Sequence, residues 1–299
     1  MQFCFQYPAR AMNRWDEWLG DNQVGELAQA AEHAGFSLAS ASDHPFPDAQ
    51  WVQHGGHHAL DPFVILAFMA AATKRLHVLT CAVVSGYRHP YVTAKAASSL
   101  DQLSRGRLVL GMVAGYQEAE FEALGAPFAD RGPRLDAAVA AMRASWSGEV
   151  VAHDDRFFSA QGHISRPRPW NTELPIWFGG NGGPSRRRVA TIGDGWLPIE
   201  QTAEMERVTG TPTLSSDEAL ARSISAIRQA RIDAGREPDF ATCFAPLARG
   251  TSEDHVARVA TLLPGLGDAG VTHVLIESRA RSFAECVAEM PLYRDLIAS

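Results

Sequence analysis

Three stretches of this 299-residue chain place chemically versatile side chains at spacings that suit a reaction. The first is Ser42-Asp43-His44, directly after a predicted strand. An acid beside an imidazole at a strand end can orient the ring, making it a proton donor or acceptor next to a bound ligand. The structural alternative is that Asp43 caps the following turn and His44 packs there. The second is the run Phe178-Gly179-Gly180-Asn181-Gly182-Gly183-Pro184-Ser185-Arg186, which joins a strand to a helix. Glycines let backbone N–H groups approach an anion, and Pro184 suits a first helical position. The helix start adds positive partial charge, so the run reads as a phosphate-gripping loop with Arg186 as its cation, against a plain flexible turn. It is not the dinucleotide fingerprint, which belongs in a first βαβ unit. The third is Trp51-Val52-Gln53-His54-Gly55-Gly56-His57-His58. The imidazoles of His54, His57 and His58 could bind a divalent metal. No carboxylate stands at a fixed helical spacing from them, however, and the paired glycines favour a loose lid.

Other polar residues read structurally. Cys81 is a small buried side chain. Glu118 and Glu120 belong to the first turn of a short helix, where negative charge is favourable. Arg131, Arg134 and Asp136 read as surface or helix-start charges.

The formal net charge is −7, and Arg186-Arg187-Arg188 is the one dense basic run, so phosphate-backbone binding is not expected. Cys4, Cys81, Cys243 and Cys286 are scattered without a C-x-x-C pair, which argues against structural zinc or a disulfide framework. Residues 1–8 lack the charged and apolar regions of a signal peptide, and the longest apolar run, 63–72, is too short to span a bilayer. A small-molecule substrate, a reducing cytoplasm and no membrane or nucleic-acid partner are therefore expected.

The elements that must position these groups alternate along the whole chain. Strands are predicted at 2–6, 36–40, 77–84, 107–113, 175–179, 195–199, 240–245 and 272–276. Helices are predicted at 25–34, 62–73, 90–103, 132–147, 185–192, 216–234, 253–269 and 283–297. Eight βα units predict a closed (β/α)8 barrel, an α/β fold in one domain over 1–299. Gly35, Gly106, Gly195 and Gly270 follow predicted helices and suit the tight turns of the barrel floor. The longer connections, 41–61, 85–89, 114–131, 180–184 and 200–215, then fall at the opposite end, which carries the chemistry in such barrels. Residues 148–174 read as an insertion holding a small hairpin, with β-like pieces at 149–151 and 157–159, and 200–215 as a mobile loop.

The run Ala94-Lys95-Ala96-Ala97-Ser98-Ser99-Leu100-Asp101-Gln102-Leu103-Ser104-Arg105-Gly106-Arg107-Leu108-Val109-Leu110-Gly111 resembles a motif of the bacterial-luciferase-like flavin oxidoreductases. Ala34-Gly35-Phe36, Ser42-Asp43-His44, Arg88-His89-Pro90, Glu120-Phe121-Glu122-Ala123-Leu124-Gly125, Arg131-Gly132, Pro175-Ile176-Trp177-Phe178-Gly179-Gly180 and Gly193-Asp194-Gly195-Trp196 occur in that family's order. The resemblance runs from residue 1 to about 297.

It implies a β/α barrel that binds FMN or the deazaflavin coenzyme F420, with the Asp-His pair pointing to the F420 branch. It also implies that His44, oriented by Asp43, lies at the reactive face of the ring, and that a non-prolyl cis peptide at Cys81-Ala82 supports the ring from behind. Gly179, Gly180, Asn181, Gly182, Gly183 and Arg186 would hold the cofactor phosphate, and Val113 and Trp196 complete the implied contacts. Sugar-phosphate dehydrogenases of this superfamily carry an acid after the fourth strand. Here Tyr116 stands in that place, which argues against a sugar phosphate and makes Tyr116 a candidate phenolic donor or a surface for stacking substrate. Tyr7, Phe46, Trp51 and Tyr87 would also crowd the mouth. The resemblance further implies a homodimer and, for the FMN monooxygenase alternative, a separate reductase. A non-catalytic flavin-binding protein is the other alternative, against which His44 and the open glycine loop argue.

Overall fold

The computed structural model describes residues 1–9 and 15–298. Eight parallel barrel strands run Gln2–Gln6, Leu38–Ala41, His77–Thr80 continued by Val83–Val84, Leu108–Val113, Ile176–Gly179, Gly195–Leu197, Ala241–Phe244 and His273–Glu277. The first strand pairs with the second and the eighth, and pairing of the third with the fourth closes the ring. The expected (β/α)8 barrel is therefore the architecture observed.

One side chain from each strand fills the barrel's interior: Cys4, Leu38, Leu79, Val109, Trp177, Leu197, Cys243 and Leu275, all buried. Small thiols from the first and seventh strands make room for the indole of Trp177, as layered packing from alternate strands requires. A second apolar layer lies between strands and helices, where Phe5, Leu66, Met69, Leu108, Phe178 and Trp196 are almost fully buried.

The helices follow the predicted order, at Gln23–Ala34, Pro62–Ala72, Pro90–Ser104, Arg131–Trp146, Gly183–Thr191, Asp217–Asp233 and Ser252–Ala269. The last predicted helix is two, Phe283–Ala288 and Met290–Ala298. Gly35 and Gly270 close their helices at positive φ, as the floor turns demand. Gly195 does not. It lies within a strand, and a Cβ there would come within 2.4 Å of the Trp177 ring, so close packing is its reason.

Three connections differ from the sequence expectation. The strand predicted over 77–84 breaks at Cys81-Ala82, whose peptide is cis, and resumes at Val83 to pair with Met112. The hairpin of the insertion forms from Val151–Asp154 and Ser159–His163, a few residues beyond the predicted pieces. The 200–215 segment is not without structure: Thr202 caps a helix at Ala203–Thr209, and Gln201 bridges Leu214.

Gly111 is the close approach that lets the fourth strand press against the break in the third. A Cβ at this position would lie 2.0 Å from the Thr80 carbonyl oxygen, a backbone atom that cannot rotate away. Gly111→Ala should cost about 3 kcal/mol by overpacking and lower the thermal midpoint by several degrees. An unchanged melting curve would show that this contact does not constrain the barrel.

Candidate active site

A cavity of about 470 Å³ opens at the carboxyl ends of the strands, within the range of small-molecule and cofactor sites. Its wall is formed by the ends of the second strand (Ser42, Asp43, His44), third (Cys81, Ala82), fourth (Val113, Gly115, Tyr116) and fifth (Gly179, Gly180, Asn181, Gly182). Leu197, Cys243 and Leu275 form the floor, and Thr209–Pro212 a strap across one side. Desolvation pushes the Cys81 thiol up to about 12, so it meets the cavity as a neutral group.

Asp43 does not orient His44, contrary to the expectation from the Ser42-Asp43-His44 run. Its carboxylate takes a two-pronged bond from Arg88 at 2.7 and 2.9 Å, and its Oδ2 also accepts the Val84 N–H at 3.0 Å. Burial raises the Asp43 carboxyl above its ordinary range, against the pull of Arg88. His44 turns instead to Glu120, 76 residues away, with Nδ1 at 3.1 Å from Oε2. That carboxylate is wholly buried and also accepts the Phe46 N–H at 3.0 Å and the Tyr87 hydroxyl at 2.8 Å. Burial opposes its ionisation, but these bonds outweigh it and hold Glu120 below the usual glutamate range. Glu120 is therefore more than a charge at a helix start. It sits on the six-residue helix Glu118–Ala123, and the available signal was its place in the motif Glu120-Phe121-Glu122-Ala123-Leu124-Gly125.

Trp51 and His57 pack on the His44 ring at centroid separations of 4.7 and 5.0 Å, and His57 reaches the cavity wall. His54 and His57 each pair a ring nitrogen with a nearby carbonyl. Among the described residues, no three His, Cys, Asp or Glu side chains converge on a metal position.

The glycine loop lines the cavity through Gly179, Gly180, Asn181 and Gly182, but Gly183 is already the first residue of its helix and is not on the wall. Gly180 has φ of 102°, and Gly182 starts the helix without a side-chain cap, leaving N–H groups for an incoming anion. Asn181 braces the loop from below, its side chain bonded to Ile199 and Pro212 main-chain atoms.

Arg186 also departs from its expected place: it points away, to Ser223 at 3.0 Å, because it lies on the helix face that packs against Asp217–Asp233. Arg131 and Arg188 reach the cavity wall instead. Arg188 is held by Asp136 at 2.6 Å. Arg131 lies 3.8 Å over the Phe128 ring and donates to the Gly115 and Phe128 carbonyls, with no carboxylate partner among the described residues. Trp196 is also displaced from its expected role: it is fully buried, and its indole N–H holds the Gly180 carbonyl at 2.9 Å. Val113 and Tyr116 line the cavity, while Tyr7, expected at the mouth, is buried in the core.

The sequence profile of the luciferase-like monooxygenase family matches residues 16–285. The chain belongs to the luciferase-like monooxygenase family. Among curated relatives, a phthiodiolone/phenolphthiodiolone dimycocerosates ketoreductase of Mycobacterium kansasii is 28% identical over 225 residues, 74% of this chain and 55% of that protein. The chain thus spans about half the length of that relative. Among solved structures, the monooxygenase RslO1 of Streptomyces bottropensis superposes with a TM-score of 0.79 at 21% identity, covering 100% of this chain and 99% of that one. An F420-dependent secondary alcohol dehydrogenase with an F420-acetone adduct gives 0.75 at 16% identity, covering 100% and 99%. An FMN-bound type II Baeyer-Villiger monooxygenase of Pseudomonas putida gives 0.71 at 16% identity, covering 100% and 98%. These likenesses place the fold of this luciferase-like protein among F420-dependent and FMN-dependent barrels alike. No described helix is long and apolar enough to cross a membrane.

The lowered Glu120 carboxyl ties part of the stability to pH. A depressed carboxyl stabilises the fold fully above its unfolded pKa of about 4.3 and loses that contribution as pH falls through the folded value. Urea unfolding at several pH values should therefore show a steeper acid-side loss of stability in the wild type than in Glu120→Gln. Equal acid slopes would mean that the carboxylate contributes nothing through its ionisation.

Proposed function

We propose that this luciferase-like protein is an F420-dependent oxidoreductase that transfers a hydride between the deazaflavin and a small organic substrate. The observation that carries the reading is His44, braced by a buried carboxylate and facing a cavity bounded by Cys81-Ala82 and the glycine loop. The site suits such a group. Gly180 and Gly182 line the cavity with no protein atom nearer than 3.6 Å to where a Cβ would stand, so their backbone is open to a ligand, and the uncapped start of the helix Gly183–Thr191 offers N–H groups to an anion. That loop and Arg131 would hold the charged tail, with Val113 and Ala82 against the ring. When bound, deazaflavin supplies two-electron hydride chemistry, with little reactivity toward oxygen because carbon replaces N5 of a flavin.

This chain's own residues do the rest. His44 has its Nδ1 edge turned to Glu120, so Nε2 is the atom left to take up or return the proton of a substrate oxygen. Tyr116 on the cavity wall is a second candidate donor. Apolar walls from Val113, Leu135, Leu197 and Leu275 exclude water from the reacting atoms. A ketoreductase among the curated relatives, and an F420-dependent alcohol dehydrogenase among the similar folds, support this reaction class. The exposed Val64 and Phe68, on a helix without charged residues, support a homodimer.

Fluorescence titration of the purified protein with F420 and with FMN tests the reading. Tight F420 binding and weak FMN binding are expected. Tight FMN binding without F420 binding would replace the proposal by a two-component monooxygenase served by a separate reductase. His44→Ala should lower turnover roughly 10²- to 10⁴-fold with little change in cofactor affinity, and an unaffected rate would remove His44 from the chemistry. Unchanged turnover in Tyr116→Phe would likewise remove the phenol as a proton donor.

A further inference from the structure

We infer that Glu120 is the positioning residue that fixes the tautomer of His44, keeping the proton on Nδ1 and the lone pair on Nε2. The inference rests on the hydride-transfer reading only for its consequence in turnover. The geometry stands by itself.

Two groups compete for the same ring nitrogen. Glu120 Oε2 stands 3.1 Å from His44 Nδ1, and the amide nitrogen of Gln117 stands 3.2 Å from it. A ring nitrogen carries one proton or one lone pair, so Nδ1 cannot both donate to Glu120 and accept from Gln117. The carboxylate wins, because a charge-assisted bond is roughly twice as strong as one between neutral groups. Glu120 is also wholly buried, whereas an amide can rotate its oxygen toward the N–H instead. With Nδ1–H committed, the opposite nitrogen presents a bare lone pair.

The surroundings leave the ring no easy second orientation. Trp51 and His57 pack against it, and the Glu120 carboxylate is itself held at both oxygens, by the Phe46 N–H and by Tyr87. A neutral imidazole whose proton sits on Nδ1 can take a proton from a substrate hydroxyl at Nε2. The opposite tautomer cannot, since it presents an N–H there.

Glu120→Gln tests this, because the fixed Phe46 N–H needs an acceptor and draws the amide oxygen to the Oε1 position, while the Tyr87 hydroxyl, a donor to Oε2 in the wild type, can rotate to accept from the introduced NH2. The introduced NH2 then faces Nδ1 and donates to it, which forces the proton to Nε2. The side chain keeps its size while the tautomer inverts.

The measurement is the pair of His44 ring 15N shifts in 15N-histidine-labelled cofactor-free protein, assigned with His44→Gln, at a pH where the ring is neutral. The wild type should show Nδ1–H and a bare Nε2, and Glu120→Gln the reverse. A wild-type ring protonated on Nε2 would overturn the inference without any Glu120 variant, as would the same tautomer in both proteins. In the F420-loaded enzyme, Glu120→Gln should lower kcat for alcohol oxidation about 10²- to 10⁴-fold, leaving KM and F420 affinity near the wild-type values. Glu120→Asp should recover part of that loss. A fall in cofactor affinity with kcat retained would assign Glu120 to binding instead. Failure of the protein to bind F420 would end the hydride reading, while the shifts still decide the tautomer.

Discussion

The working face of this barrel depends on one buried ion pair. Arg88 grips both oxygens of Asp43, whose side chain is 1% exposed, and reaches on to Asp61 at 2.8 Å. Asp61 in turn caps the helix Pro62–Ala72 through the Phe63 and Val64 N–H groups. The end of the second strand, the end of the third and the start of a helix thus meet at one guanidinium. Charges removed from water cost several kcal/mol each, and only complete hydrogen bonding offsets that. Here the offset is well supplied, since Asp43 also accepts the Val84 N–H. The pair's main effect is therefore geometric: it sets Val83–Val84, and with them Cys81-Ala82, at a fixed place beside Ser42-Asp43-His44.

The barrel was legible in the sequence because its signal is periodic. Eight apolar runs alternating with eight amphipathic ones survive small errors at their ends. The break in the third strand is different in kind, since Val78-Leu79-Thr80-Cys81-Ala82-Val83-Val84 reads as unbroken strand by composition. Only the family resemblance pointed to an irregular peptide there. The 200–215 segment misled for the opposite reason: its helix is seven residues long, too short to establish a period.

In the site, adjacency proved a poor guide. Asp43 and His44 are neighbours, yet Asp43 is taken by Arg88 and the Val84 N–H while His44 turns to Glu120, so sequence contact suggested a pairing that distant partners displace. Glu120 is close in space but 76 residues away, and no local pattern joins the two. Arg186 failed for a helical reason. Ser185 and Arg188, three apart, share the face turned to the cavity, and Arg186 lies on the face that meets Ser223.

The separation of these two carboxylates has a chemical logic. Asp43 is paired with a permanent cation, so little of its negative charge is available to another group. Had it been the partner of His44, the nearby guanidinium would have opposed an imidazolium. Glu120 has neutral donors, a backbone N–H and a phenol, as its remaining partners, and His44 is the one basic side chain bonded to it among the described residues. Its charge is thus free to stabilise a proton arriving on the ring. The fold assigns one acid to hold the strands in place and the other to the proton, and the 17%-exposed Arg88 is what keeps the two roles apart.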